Sequence, residues 1–254
     1  MSIIIAFSNQ KGGVGKTTTV VNIGAYLASL GKKVLLVDMD PQGNATTSLG
    51  FRPEGDTANI YRCLIDDQDP HLAIVATRIK NYFLLPGHVD LAGGAVELLE
   101  KPSRAFVLRT TLQKISSDYD MILIDCPPSL GILTINGLAA AQHIIIPVQC
   151  EYFALEGLSQ LMRTISLVRE RITTEVNMMG ILLTMYDKRN RFSEEIEKEV
   201  RKCFPHYVFK TVIPRSVYLA EAPSYGKTIM EYRWWSSGAC AYKDIAQEIM
   251  RLIP

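Results

Sequence analysis

No stretch of this 254-residue chain approaches the roughly 18–20 consecutive apolar residues that a membrane-spanning helix needs. The apolar start is short, lacks a basic leader and turns polar at Ser8, which is not the pattern of a secretory signal. An excess of one charge is also missing: 27 Lys plus Arg stand against 26 Asp plus Glu. Any binding to nucleic acid or membrane must therefore come from a local patch rather than a global field. The five cysteines, Cys63, Cys126, Cys150, Cys203 and Cys240, are scattered and form no C-x-x-C pair. That argues against a zinc or disulfide framework and fits reduced thiols. Linkers and internal repeats are absent too. These absences lead us to expect a soluble, cytoplasmic protein built as one domain over residues 1–254.

One further absence is local. The nucleotide pattern G-x-x-x-x-G-K-[ST] is half filled by Gly15-Lys16-Thr17, but its first glycine falls where this chain has Gln10. Lys11-Gly12-Gly13 follows instead. Around it, Ile3 to Phe7 reads as a strand, and Val20, Ile23, Leu27 and Leu30 mark a helix. Backbone N–H groups in such a glycine-rich turn, with the partial positive charge of a helix N-terminus, can cradle phosphates. Gly12, Gly13, Val14, Gly15, Lys16, Thr17 and Thr18 are the expected nucleotide contacts.

Further apolar strands are predicted at Lys33–Asp38, Tyr82–Leu85, Met121–Asp125, Ile144–Val148, Met179–Thr184 and Val208–Ile213. Helices are expected near Arg104–Ser117, Ile132–Ala141 and Leu155–Arg169, then from a Ser193 cap, and finally over Ala239–Leu252 with Tyr242, Ile245, Ile249 and Leu252 inward. Residues 51–79 read as loops and short helices. Strands apolar throughout and alternating with helices imply an α/β fold: a doubly wound, mostly parallel sheet flanked by helices. In such sheets ligands sit beyond the carboxyl ends of the strands. The loops after Phe7, Asp38, Asp125, Val148, Thr184 and Ile213 should then surround one site.

Lys16 belongs beside the β- and γ-phosphates and the Thr17 hydroxyl on Mg²⁺. Asp125, ending an apolar strand, is placed to hold that metal or its waters. Asp38 and Asp40 open a turn-rich DMDPQGN loop; an Asp-Pro turn alone would account for it, but two acids beside the site favour Asp38 in the magnesium shell and Asp40 on the attacking water. Lys11 is either a solvated turn lysine near its own phosphates or a group reaching the nucleotide of a second subunit. Met185 and Pro214 are expected near the base by position only. For Trp234 and Trp235, exposure would mean a partner surface and burial a dock for the terminal helix; burial is expected.

KGGVGKTTT, DMDPQGN, IDCPPSLG, IPVQCEYFALEGLSQL and IPRSVYLAEAPSYGKTI together resemble the ParA/Soj partition ATPases of the deviant Walker A class, from about Ile3 to Ile229. The resemblance implies a P-loop NTPase fold and an ATP-sandwich homodimer with Lys11 crossing the interface. It also implies slow Mg²⁺-dependent ATP hydrolysis using Lys11, Lys16 and Asp40, nonspecific double-stranded DNA binding, and stimulation by a ParB-type centromere-binding partner. Localisation would be nucleoid-associated in the ATP state, without membrane attachment. Lys188, Arg189, Arg191 and Arg215 are the DNA candidates. The family's I-P-R-N-x-R-L-x-E-A-P pattern departs here to Ser216 and Tyr218, and its polar tail to Tyr232-Arg233-Trp234-Trp235, so one phosphate-binding cation per subunit is missing from that loop.

Three other classes compete. A MinD-like membrane-positioning ATPase carries a basic amphipathic extension after the last helix, whereas here the sequence stops at Pro254. An iron-protein-type reductase needs cysteines paired around a cluster, and Cys126 and Cys150 do not match that pattern. A cargo-positioning relative uses the same switch on a protein assembly.

Overall fold

A computed structural model describes residues 2–53, 57–151, 154–173, 175–205 and 207–253, without the side chains of 154 and 156. Gly55, Tyr152, Phe153 and Pro254 lie outside the described residues. The β-branched and leucine-rich runs do form strands: β1 (Ile3–Phe7), β2 (Val34–Asp38), β3 (Val75–Ala76), β4 (Tyr82–Leu85), β5 (Met121–Asp125), β6 (His143–Gln149) and β7 (Asn177–Thr184). They make one sheet in the order β3-β4-β2-β5-β1-β6-β7, parallel except for the short β3. Alternate residues feed two cores. Ile4, Ala6, Leu35 and Val37 face one layer, while Ile5, Phe7, Val34 and Leu36 face the other. That two-sided burial explains why the strands are apolar at every position.

On the second face lie α1 (Lys16–Ser29) and, across it, the C-terminal helices. On the first pack α3 (Ile60–Ile65), α4 (Leu91–Glu100), α5 (Val107–Gln113), α6 (Ile132–Ala140), α7 (Ala154–Arg171) and α8 (Arg191–Cys203), while the short α2 (Asn44–Ser48) follows β2. The chain closes with α9 (Val217–Glu221), α10 (Ile229–Arg233) and α11 (Ser237–Leu252). Two buried bonds fasten this last segment to α1: Thr19 Oγ1 to Tyr242 Oη at 3.1 Å, and Ile229 N to Asn22 Oδ1 at 2.7 Å.

Five expectations need correction. No strand forms over 208–213; only the isolated bridges Ile181–Val208 and Tyr186–Pro214 pair there. Side chains take the backbone groups a ladder would use: Glu248 accepts from Lys210 N at 2.8 Å, and Arg201 donates to the Phe209 carbonyl at 3.0 Å. Ser193 is not a cap but lies inside α8, because Asn190, three positions earlier in the chain, caps the helix by accepting from Phe192 N. The expected 104–117 helix shortens to α5, although Leu108, Leu112 and Ile115 are all buried. Leu252 is exposed at the end of α11, unlike Tyr242, Ile245 and Ile249. Trp234 and Trp235 are exposed, at 67% and 60%. Helix α4, unrecognised in the sequence, hides behind Gly93-Gly94, whose low helix propensity obscures it. Gly94 is needed because a Cβ there would come within 2.8 Å of the Tyr61 ring.

Candidate functional site

The β1–α1 turn owes its shape to two glycines in the left-handed region, Gly13 at φ +75° and Gly15 at φ +80°, where side chains are strained. Gly15 is the N-cap of α1, and no acid occupies the helix's first turn, so the macrodipole there is uncompensated. Lys16 is buried, and Thr17, Thr18, Gly12 and Gly13 face the same hollow of about 330 Å³. Val14 differs from its neighbours: its side chain is buried, and its carbonyl accepts from Thr184 Oγ1 at 2.8 Å, tying the turn to the end of β7.

Sheet register brings the acids together. Phe7 and Asp38 both align with Asp125 across neighbouring strands. Asp125 Oδ2 accepts from Thr17 Oγ1 at 2.7 Å, while Asp125 Oδ1 is buried without a hydrogen-bond partner among the described residues. Such an orphan oxygen beside the Thr17 hydroxyl is the donor set that a hard divalent cation takes. Asp38 is fully buried and its oxygens are engaged, by Thr46 N at 2.8 Å, Thr46 Oγ1 at 2.7 Å and Asp40 N at 3.2 Å. Burial pushes Asp125 up to about 7, against the opposing pull of Lys16, and Asp38 up to about 6. A cation would offset that desolvation, so the residues present fit Mg²⁺. Asp40 instead lines the hollow, its Oδ1 accepting from Gln42 N at 3.0 Å.

Lys11 points elsewhere. Its side chain is 41% exposed, and its Nζ lies 3.3 Å from Glu151 Oε2 just beyond β6. Arg215 reaches the same carboxylate at 3.9 Å. A second, mostly apolar hollow of about 220 Å³ adjoins the turn, lined among others by Gly15, Met185, Ile213, Pro214 and Tyr242. Met185, in the left-handed region at φ +52°, lines both hollows. Residues that sequence reasoning missed are Asn44 and Ser48 in the phosphate hollow, Thr46 behind Asp38, and Glu151 on the rim. Asn44 lay in the DMDPQGN signal and Glu151 in the IPVQCEYFALEGLSQL one; Ser48 and Thr46 carry no local signal.

Lys188 and Arg189 lie on the β7–α8 loop and Arg191 opens α8; all three are exposed. That loop is joined to Arg215 through Tyr186, whose backbone N–H donates to the Ile213 carbonyl and whose carbonyl accepts from Arg215 N, each at 3.0 Å. Arg189 is paired with Asp187 at 3.1 Å; Lys188 and Arg191 carry no carboxylate partner among the described residues. Cys126 and Cys150 are buried thiols pushed up to about 12 by desolvation, which suits packing rather than cluster ligation.

A glycine-rich turn opening a helix, with acids at the ends of the adjoining parallel strands, defines a P-loop nucleotide-binding protein. Residues 2–178 match the family described as AAA domain. The chain is 51% identical to the sporulation initiation inhibitor protein Soj of Bacillus subtilis, across 98% of both proteins. It is 47% identical to the chromosome partitioning protein ParA of Myxococcus xanthus, across 98% of this chain and 88% of that one. Among solved structures, one named cobyrinic acid a,c-diamide synthase from Mycobacterium smegmatis, with bound ADP and magnesium, superposes with a TM-score of 0.87 at 40% identity, covering 99% of this chain and 95% of that one. This chain therefore belongs to the ParA/Soj family of chromosome-partitioning ATPases.

Proposed function

We propose that this protein is a single-domain, Mg²⁺-dependent ATPase whose ATP-bound form is a homodimer on nonspecific duplex DNA. A ParB-type centromere-binding partner stimulates its slow hydrolysis. The observation that carries this reading is the division of labour on one turn: Lys16 is buried in the phosphate hollow while Lys11 stands on the rim. A lysine outside its own cradle, held only by an exposed pair with Glu151 that is worth little, can exchange that partner for a nucleotide held by a second subunit. One unit-charge pair at ~4 Å is worth about 4 kcal/mol at an effective dielectric near 20, before desolvation. That is enough to make pairing of subunits depend on ATP.

Within each site, Lys16 and the backbone N–H groups of Gly13 to Thr18 bind the β- and γ-phosphates of ATP. Thr17 and Asp125 would hold Mg²⁺, with Asp38, beside Asp125 in register, in the magnesium shell. When bound, the ion neutralises charge on the phosphate oxygens. Asp40, fixed by the Gln42 N–H, orients the attacking water and accepts its proton. Met185 and Pro214 flank the nucleoside. Lys188, Arg189, Arg191 and Arg215 face DNA phosphates, and the protein works in the cytoplasm, on the nucleoid when ATP is bound.

DNA binding measured with ATP, ADP or no nucleotide, for wild type and Lys16→Ala, tests the switch. Binding with ATP alone, lost in the variant, is expected; equal binding with ADP would sink it. ATP-dependent binding to liposomes in place of DNA would favour a membrane-positioning role. Lys11→Ala that still dimerises normally with ATP would remove the cross-subunit role.

A further inference from the structure

The exposed surface formed by α9 and α10 has no role in the site above. Trp234 and Trp235 meet edge to face, with ring centroids 5.5 Å apart, and both face solvent. The Arg233 guanidinium lies 4.5 Å from the Tyr218 ring centroid and 5.4 Å from that of Trp235. Both neighbouring acids are engaged: Glu231 closes the α10 capping box and pairs with Arg78 at 3.2 Å, and Glu221 accepts from Tyr232 Oη at 3.0 Å. Arg233 has no carboxylate partner among the described residues.

We propose that Arg233, in contact with the rings of Tyr218 and Trp235 and with Trp234 beside them, is a second anchor for the phosphodiester backbone of duplex DNA. This rests on the DNA reading above and places a further binding surface beside it. Ring faces attract a guanidinium without using its N–H donors. The two contacts therefore restrain the cation, and its N–H groups, which have no acceptor among the described residues, stay free for a phosphate, a group that arginine binds well. Charge complementarity favours a polyanion: Arg233 is uncompensated, and Arg215 lies three residues before Tyr218 on the same segment. Tyr218 stands where the ParA/Soj sequence pattern has an arginine. Its ring instead receives one from α10, so the cation missing at position 218 reappears over it.

Both tryptophans of the chain lie in this patch, so intrinsic tryptophan fluorescence reads this surface alone. The experiment titrates a short duplex of arbitrary sequence into the full-length protein with Mg²⁺ and a slowly hydrolysed ATP analogue, following tryptophan emission and duplex anisotropy together. A change in emission that tracks anisotropy is expected. Arg233→Ala should weaken duplex binding about tenfold and flatten log affinity against log salt by about 0.9 for each phosphate it no longer neutralises. Arg233→Lys should keep the salt slope, and basal ATP hydrolysis of both variants, unchanged, reports that they fold. Duplex binding with unchanged emission and a wild-type slope in Arg233→Ala overturns this inference and leaves the DNA reading standing. No duplex binding by the wild type in any nucleotide state overturns both. Emission that responds to phosphatidylglycerol vesicles and not to duplex makes the patch a lipid surface and overturns the inference.

Discussion

The phosphate hollow and the cationic rim come from different segments of chain that approach each other at Met185, and they are held by different physics. Lys16 in the hollow and Asp38 and Asp125 behind it are buried, and each carboxylate is placed by strand register against its neighbour. Low local dielectric makes every such charge consequential in either direction. On the rim, Lys188, Arg189, Arg191 at the start of α8, and Arg215 are exposed on two joined segments, where solvent and salt screen them. The lesson is that the hollow is all-or-none, whereas the rim works as a sum of small, replaceable interactions.

That contrast can be broken most forcefully inside the hollow. Lys16→Ala should reduce ATP affinity by at least about a hundredfold, read by titration calorimetry, because a phosphate-facing charge is worth about 4 kcal/mol before desolvation. Asp40→Ala should slow hydrolysis by about 10²–10⁴-fold while ATP still binds, measured by single-turnover phosphate release. If affinity and rate fall together, Asp40 acts in binding rather than on water.

A third effect concerns the free protein. Asp125 and Asp38 sit at about 7 and about 6 when folded, above about 3.9 in an unfolded chain. The native state therefore holds more protons between those values, and stability of the metal-free protein falls as pH rises from about 4 to about 7. Asp125→Asn should flatten that slope and raise the melting temperature in EDTA near neutral pH by about 5 °C. Thermal melts across pH check this; an unchanged slope would mean the orphan oxygen is solvated. The smallest effect belongs to the rim: Arg191→Ala should weaken duplex binding only a few-fold, lower the salt slope by about 0.9 per phosphate left unneutralised, and leave ATP affinity alone.

Several parts of this arrangement were legible as one-dimensional pattern. The phosphate turn is local: its glycines, lysine and threonine adopt their geometry within a few residues, and β1 and α1 flank it as their periodicity requires. The apolar strands were equally plain, being buried on both faces. Sequence reading failed where long-range interactions overrode local preference. Residues 208–213 have strand composition, but Glu248 and Arg201, from other helices, claim their backbone groups. The tryptophans were expected to be buried as a dock for the terminal helix; instead α11 buries Tyr242, Ile245 and Ile249, and both tryptophans are exposed.

Sequence by itself determined the family, the phosphate turn and the acids that end β2 and β5, since each depends on short-range backbone preference or on residue type at fixed spacing. Only tertiary structure decided how those groups meet. Register sets Asp38 beside Asp125, burial leaves one Asp125 oxygen unpaired, and Glu151, 140 positions from Lys11, draws that lysine out to the rim. Charge and burial act through space, and no reading along the chain measures distance across it.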